Sequence, residues 1–158
     1  MARKLAVLIL AVVVFAVDRW LKVLVSTHMV PGQSIAVLPP VLWITYITNS
    51  GAAFSIFRHG GDPVFIGIAL AILVALALFI IRQPSLTARF SVGAGLLAGG
   101  TAGNLWDRLV SGRVVDYIHF RFWAIFNLAD AAIVVGIILI VWDLWRKDQE
   151  RGEESSGR

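Results

Sequence analysis

The sequence predicts an all-α membrane protein, in which a bundle of four transmembrane helices carries a small β-rich cap on its extracytoplasmic side. Hydrophobic residues make up 58% of the 158 residues and charged residues only 15%, whereas a soluble domain has about 25% charged residues. The mean hydropathy is +0.81. Four apolar runs approach the length of about 20 residues that a helix needs to cross a bilayer. We therefore expect the protein to lie in a lipid bilayer.

The four runs predict helices over about 5–25, 64–81, 90–105 and 123–142. Charges interrupt the first run only in its second half. The basic start and apolar body of this run also resemble a signal peptide, but no small-residue cleavage site precedes Asp18 and the apolar pattern resumes after it. We expect the segment to remain in the mature protein.

The cations predict the orientation and argue against nucleic acid as a partner. They occur in ones and twos between apolar runs and not in a basic patch. With the N-terminus inside, eight Lys and Arg residues lie on the inner side and four on the outer side. Because positive charge favours the cytoplasmic side, both termini are expected in the cytoplasm.

The connections between the helices differ in composition. The outer segments at about 34–57 and 112–121 contain runs rich in β-branched and aromatic residues, which predict strands. The tail at 146–158 is charged and rich in Glu, Ser and Gly, which predicts a disordered cytoplasmic segment after a single domain at 1–145. In the third helix, Gly95, Gly99 and Gly103 share one face and would let a neighbouring helix approach closely.

Two aspartates are the strongest functional candidates. An ionisable side chain at bilayer depth is costly, so Asp130 is a functional candidate by default. Counted from Ala124, it is expected about 10 Å along the fourth helix, with Asn127 on nearly the same face. Asp116 lies in the candidate strand before that helix. If the two carboxyl groups meet, they share one proton and can activate water for amide hydrolysis, although spacing alone does not establish the meeting.

Further polar residues fall at the same membrane level under this topology. They come from the first helix, the first outer connection and the end of the third helix: Asp18, Lys22, Asn49, Asn104, Asp107 and Arg108. No His-Glu-x-x-His or Gly-x-Ser-x-Gly pattern occurs, the three His residues are scattered, and Cys is absent. No metal or other cofactor is expected. A small ion or proton-coupled channel or transporter, with Asp18, Asp116 and Asp130 as a relay, and a non-catalytic assembly subunit remain open on these residues alone.

Four ordered motifs resemble those of the lipoprotein signal peptidase family, also called signal peptidase II. They are Asp18-x-x-x-Lys22, Asn49-x-Gly51-Ala52-Ala53-Phe54, Gly103-Asn104-x-x-Asp107-Arg108-x-x-x-Gly112-x-Val114-x-Asp116-x-x-x-Phe120, and Phe126-Asn127-x-Ala129-Asp130. They span residues 18 to 130. One departure is Arg19, where glutamine is more usual in the family, and it affects no catalytic role.

The resemblance implies an aspartic endopeptidase of the bacterial inner membrane that cleaves prolipoproteins just before a diacylglyceryl-modified cysteine. By similarity, Asp116 and Asp130 form the catalytic dyad. Residues expected to line or support the site are Asn49, Gly51, Asn104, Arg108, Asn127, Ala129, Asp18 and Lys22. The implied partners are the lipid-modified substrate, membrane lipids and the cyclic peptide antibiotic globomycin. We also expect the loop from Asn49 to Phe54, with Gly51 as its hinge, to close over the substrate.

Overall fold

The computed structural model describes residues 1–50 and 63–156, and side chains as far as residue 150. The described chain forms four helices and one sheet. The helices are α1 (Ala2–His28), α2 (Pro63–Arg82), α3 (Ala88–Ser111) and α4 (Leu128–Ser156). The strands are β1 (Ser34–Leu38), β2 (Leu42–Asn49) and β3 (Val114–Phe120). The sequence prediction of a mostly helical chain with a small β element is therefore confirmed.

The three strands form an antiparallel sheet in the order β1-β2-β3. β1 is exposed at every residue, whereas β3 buries Val114, Asp116 and Tyr117. Three backbone hydrogen bonds join this sheet to Phe126, just before α4. The amides of Tyr117 and Ile118 donate to the carbonyl of Phe126 at 3.0 and 2.7 Å, and the amide of Phe126 donates to the carbonyl of Ile118 at 3.1 Å. β3 and the N-terminus of α4 are thus fixed to each other.

α3 is the central helix, and its glycines bring two neighbours close to it. A methyl group built on Gly95 or Gly99 would meet α1 at Leu10 or Ala11, at 2.8 and 2.6 Å. On another face of α3, a methyl group on Gly100 would lie 2.5 Å from the carbonyl oxygen of Ala129 in α4. The predicted glycine face therefore packs against α1, and a second glycine face, which we did not predict, packs against α4.

In α1, two charged side chains are buried while several large apolar side chains are exposed. Asp18 and Lys22 are 0% and 1% exposed, whereas Leu8 and Val12 are 61% and 57% exposed. This inversion is expected where lipid surrounds the helix, because charged groups then face the protein interior. Two of the helices in the described residues, Pro63–Arg82 and Leu128–Glu150, are long and apolar enough to cross a membrane by length and composition alone.

α4 differs from the sequence prediction at both ends. It begins at Leu128 and not near 123, because Phe126 pairs with Ile118 of β3. Asp130 consequently lies in the first helical turn, and the predicted depth of about 10 Å along the helix is wrong. At the other end, α4 continues to Ser156 through residues assigned above to a disordered tail. An Arg146–Glu150 pair at 3.7 Å, one turn apart, favours this extension.

Candidate active site

Asp130 and Asn127 together form the N-terminal cap of α4. The Asn127 Oδ1 atom accepts from the backbone amide of Asp130 at 3.0 Å, and Asp130 Oδ2 accepts from the backbone amide of Asn127 at 3.1 Å. This reciprocal pair has the geometry of a capping box, in which the cap residue and the residue three positions later satisfy each other's amides. The carboxylate also lies at the positive end of the helix dipole, which stabilises negative charge there.

Asp116 reaches the same place from β3. Its Oδ1 atom accepts from the side-chain amide of Asn127 at 2.7 Å. Because Asn127 Oδ1 already accepts from the Asp130 amide, its NH₂ group is left to face Asp116. Asn127 therefore touches both aspartates, one through its side-chain NH₂ and the other through its backbone. The structure brings together the two residues that the sequence singled out.

Asn104 of α3 holds Asp130 from the opposite side. Its Nδ2 atom donates to Asp130 Oδ1 at 2.7 Å, while its Oδ1 accepts from Lys22 Nζ at 2.9 Å and from Asn127 Nδ2 at 3.1 Å. An ammonium group has only donors, so Lys22 fixes the Asn104 oxygen toward itself. The amide NH₂ must then point to the carboxylate of Asp130.

Lys22 is the buried cation of the site and has three acceptors. Besides Asn104, its Nζ lies 2.8 Å from Asp18 Oδ2 and 2.8 Å from Asp107 Oδ2. Asp18 Oδ1 also accepts from the backbone amide of Ala129 at 3.1 Å. The spacing of four residues places Asp18 and Lys22 on one face of α1, and the two side chains pair there. The bond from Ala129 to Asp18 ties α1 to the start of α4.

Burial and the neighbouring carboxylate change the acidity of Asp116. Burial raises its pKa from 3.8 to about 6, and the charge of Asp130 adds to this effect. Hydrogen bonds from Asn127 and Asn49 and the charge of Lys22 oppose the shift without cancelling it. The side chain is 2% exposed. Asp116 is consequently a carboxyl group that can carry a proton near neutral pH.

Arg108 and Asn49 border this centre. Arg108 Nη1 donates to the carbonyl oxygen of Asn104 at 3.3 Å, and its guanidinium carbon lies 4.9 Å from the centre of the Phe65 ring. Asn49 ends β2 opposite Val114 and bonds to Asp116 through its side chain. Gly51 and the proposed hinge loop to Phe54 lie outside the described residues.

Close packing explains why small residues stand beside the centre. Ala129 is 0% exposed. A methyl group built on Gly103 would lie 2.5 Å from Asp18 Oδ2 and 3.5 Å from the Ala129 Cβ. Gly103 therefore leaves the space that the buried carboxylate of Asp18 occupies.

Two features that support the site are not evident from the sequence. Arg19, noted only as a departure from the family pattern, forms an ion pair with Asp107, which also binds Lys22. The Tyr117 hydroxyl accepts from the backbone amide of Leu128 at 3.3 Å, and burial raises the pKa of Tyr117 to about 12. Both are contacts between distant elements, so no local spacing could indicate them.

No group of three or more His, Cys, Asp or Glu side chains that could hold a metal occurs within residues 1–50 and 63–156. At its centre, the carboxyl groups of Asp116 and Asp130 contact the carboxamides of Asn127 and Asn104, and the Lys22 ammonium group lies beside them. Such a set can place a water molecule between a carboxylate and a carboxylic acid.

Comparisons with known proteins agree on one family. Residues 10–146 match the family model described as signal peptidase (SPase) II. The lipoprotein signal peptidase of Pelotomaculum thermopropionicum is 41% identical over 136 residues, which cover 86% of this chain and 89% of that protein. The lipoprotein signal peptidase of Moorella thermoacetica is 35% identical over 147 residues, covering 93% and 97%.

Solved structures give the same result for the fold. One bacterial membrane enzyme, determined by the in meso method at 1.9 Å, superposes with a TM-score of 0.81 at 36% identity, covering 87% of this chain and 91% of that one. A second, determined at 2.3 Å, superposes with a TM-score of 0.82 at 34% identity, covering 91% and 90%. The fold is thus shared over most of each chain.

Proposed function

Because the chain belongs to the signal peptidase II family, a family of aspartic proteases that remove lipoprotein signal peptides, we propose that it cleaves prolipoproteins immediately before a diacylglyceryl-modified cysteine. Water activated between Asp116 and Asp130 performs the cleavage. The observation that supports this most directly is the placement of Asn127, which donates to both carboxyl groups at once.

The two aspartates take different roles in this reaction. The Asp130 carboxylate removes a proton from water, and the water oxygen attacks the carbonyl carbon of the scissile bond. Asp116 donates its proton to the carbonyl oxygen, giving a neutral tetrahedral diol. Asp130 then protonates the amine of the cysteine as the C–N bond breaks, and a diol hydroxyl returns its proton to Asp116. The pair regains its single shared proton.

The assignment of acid and base follows from the surroundings. The raised pKa of Asp116 makes it the better proton carrier. Asp130 lies at the N-terminus of α4 and accepts from two amides, so the helix end favours its negative charge. Environments that separate two like groups in this way are the usual basis for distinct acid and base roles.

The remaining polar residues position the dyad and its substrate. Asn104 and Asn127 orient the two carboxyl groups through hydrogen bonds. Asp18 and Lys22 form an ion pair, and Lys22 holds Asn104 in position. Arg108, Asn49, Gly51 and Ala129 line or support the substrate site. Globomycin, a cyclic peptide inhibitor implied by the family resemblance, would compete for the same site.

The substrate also explains the membrane setting. All four helices cross the bacterial inner membrane, both termini lie in the cytoplasm, and the sheet rests on the outer face. Support comes from the excess of Lys and Arg on the side of the termini. A diacylglyceryl group would hold the cysteine at the level of the outer lipid surface, where Asp130 lies in the first turn of α4. The relay of a proton-conducting channel is less well supported, since the chain matches a peptidase family over residues 10–146.

Cleavage of a defined substrate tests this proposal. The reconstituted protein is mixed with a prolipoprotein carrying a diacylglyceryl cysteine, and with the same precursor lacking the lipid. Mass spectrometry should find a new amino terminus at the modified cysteine and at least about a hundredfold slower cleavage without the lipid, because the anchor supplies the positioning. Equal cleavage of both precursors, or a cut elsewhere, would refute it.

A further inference from the structure

A groove near the candidate active site has Lys22 and Asp107 in its lining. It opens between α1, the last two turns of α3, β2 and β3, and encloses about 280 Å³. We call it the Arg113 groove. Its lining includes Arg19, Ser26, Trp106, Val110, Arg113 and Val115, but neither Asp116 nor Asp130. The volume is near the lower end for ligand pockets, which suits one small group and not a whole lipid.

The charge balance of this groove is positive. Asp107, the acidic residue in its lining, is occupied by Lys22 and Arg19. Lys22 also forms an ion pair with Asp18. Arg113 is exposed and has no ion-pair partner within the described part of the chain. One guanidinium group is therefore left to bind an anion, and its planar donors suit a phosphate.

The lining of the groove includes exposed apolar side chains. Val23 and Val110 are 49% and 66% exposed, and Trp106 is 47% exposed. Tryptophan at such a boundary is typical of the lipid headgroup level. The groove thus combines a cation that has no ion-pair partner among the described residues with an apolar edge on which acyl chains can lie.

The end of α3 also lies at this groove, since Val110 and Ser111 of its last turn line it. Three cations and one carboxylate line the same groove: Arg19, Lys22, Arg113 and Asp107. An anionic headgroup complements this charge, whereas the quaternary ammonium group of a choline headgroup is repelled by it. The charge therefore favours a phosphoglycerol over a choline headgroup.

We propose that the Arg113 groove binds the headgroup of a phosphatidylglycerol molecule from the outer leaflet, with its phosphate on Arg113 and its acyl chains along Val23 and Val110. The site rests on the membrane placement proposed above but not on the dyad. It differs from the peptidase site, since neither Asp116 nor Asp130 lines it. A lipid bound there would fix the end of α3 against the sheet.

Native mass spectrometry of the detergent-solubilised full chain tests this site without any substrate. Phosphatidylglycerol and phosphatidylcholine with the same acyl chains are titrated separately, and free glycerol 3-phosphate serves as the soluble comparison. We expect one phosphatidylglycerol per chain, bound about tenfold more tightly than phosphatidylcholine, because both lipids offer a phosphate to Arg113 but only phosphatidylcholine brings a cation into the positively charged groove. Equal affinity for the two lipids, or glycerol 3-phosphate binding as tightly as the lipid, would overturn the proposal.

Variants separate the groove from general charge attraction. Arg113→Gln should weaken phosphatidylglycerol binding about tenfold, and Val23→Trp should do so by filling the groove while leaving its charge. Arg121→Gln is the matched control, since Arg121 directly follows β3 in the sequence but does not line the groove. Unchanged binding by Arg113→Gln, or equal loss in Arg121→Gln, would contradict the site. A chain with Asp116→Asn should still bind the lipid, so failure of cleavage and failure of lipid binding are distinguishable.

Discussion

Asn127 and Asp130 satisfy each other's backbone amides at the start of α4, through hydrogen bonds of 3.0 and 3.1 Å. The same asparagine donates its NH₂ group to Asp116 at 2.7 Å. One residue therefore begins the helix, fixes the proposed base and binds the proposed acid. Helix capping and the placement of the two aspartates therefore depend on the same side chain. A substitution that keeps the cap but loses the contact with Asp116 can distinguish the two roles.

Replacing Asn127 with serine should keep the helix cap and lose the contact with Asp116. A serine hydroxyl is as good an N-cap acceptor as the asparagine side chain, but it is too short to donate a hydrogen bond to Asp116 as well. We therefore expect the two aspartates to be misplaced and cleavage to fall about a hundredfold. The thermal midpoint should stay near that of the unchanged chain. Asn127→Ala is the comparison, because it loses the cap as well and should unfold with about 1 kcal/mol less free energy. Full activity in Asn127→Ser would show that the bridge is not needed.

Separate substitution of the aspartates tests the dyad itself. Asp116→Asn and Asp130→Asn each retain the size of the side chain but cannot transfer the proton, so cleavage should fall by about a thousandfold or more. Insertion into the membrane and the thermal midpoint measure folding independently. Substantial cleavage by either variant would remove that residue from the mechanism. Chelators should leave the unchanged enzyme active.

The sequence predicted the helices and the two aspartates because their signals are local. Apolar runs reveal the helices, and the spacing of four residues reveals the Asp18–Lys22 pair. The start of α4 could not be predicted from such a local signal. Phe126 belongs to the apolar run in the sequence, but in the structure it pairs with Ile118 of β3. Likewise, Arg19 and Asp107 are 88 residues apart, and only the packing of α1 on α3 brings them together.

The shifted acidity of Asp116 predicts the pH dependence of cleavage. Its pKa of about 6 describes loss of the proton that the pair shares. Since cleavage requires one proton on the pair, kcat/KM should fall as pH rises through about 6, approaching about tenfold per pH unit well above it. The measurement is kcat/KM between pH 5 and 8. A constant value across this range would contradict a shared proton with that pKa.

The raised pKa of Asp116 also makes the folding stability depend on pH, with greater stability at lower pH. The folded pKa of Asp116 lies above the ordinary 3.8, so the folded chain binds its proton more tightly than the unfolded chain. The favourable contribution is complete below about 3.8 and is lost as pH rises through about 6; its full size is about 2–3 kcal/mol. Thermal midpoints at pH 5 and 7 should therefore differ less in Asp116→Asn than in the unchanged chain.

Lys22→Met should destabilise the chain strongly. Lys22 is 1% exposed and faces Asp18, Asp107 and Asn104. Removing the cation leaves buried carboxylates without their partner, for which we expect a loss of about 3–5 kcal/mol in the free energy of unfolding. Arg146→Met is the matched control, because Arg146 and its partner Glu150 are 53% and 67% exposed and loss of their pair should cost no more than about 1 kcal/mol. Similar thermal midpoints for the two variants would show that Lys22 does not hold the site together.

Gly103→Ala tests whether the close approach of α1 and α3 sets the geometry of the site. The added methyl group would lie 2.5 Å from Asp18 Oδ2, so the carboxylate or the helix must move. We expect a loss of about 1–3 kcal/mol in unfolding free energy, as for other overpacked positions. Cleavage should fall as well, because Asn104 follows directly on the same helix.

Gly67→Ala is the control for Gly103→Ala. Gly67 also lies inside a helix, but a methyl group there would meet nothing within 4 Å. Alanine favours the helical backbone over glycine by up to about 1 kcal/mol, so this variant should be at least as stable as the unchanged chain and equally active. Thermal unfolding in detergent and cleavage of the lipid-modified precursor measure both variants side by side. If Gly103→Ala behaves like Gly67→Ala, the space beside Asp18 is not what holds the buried carboxylate in position.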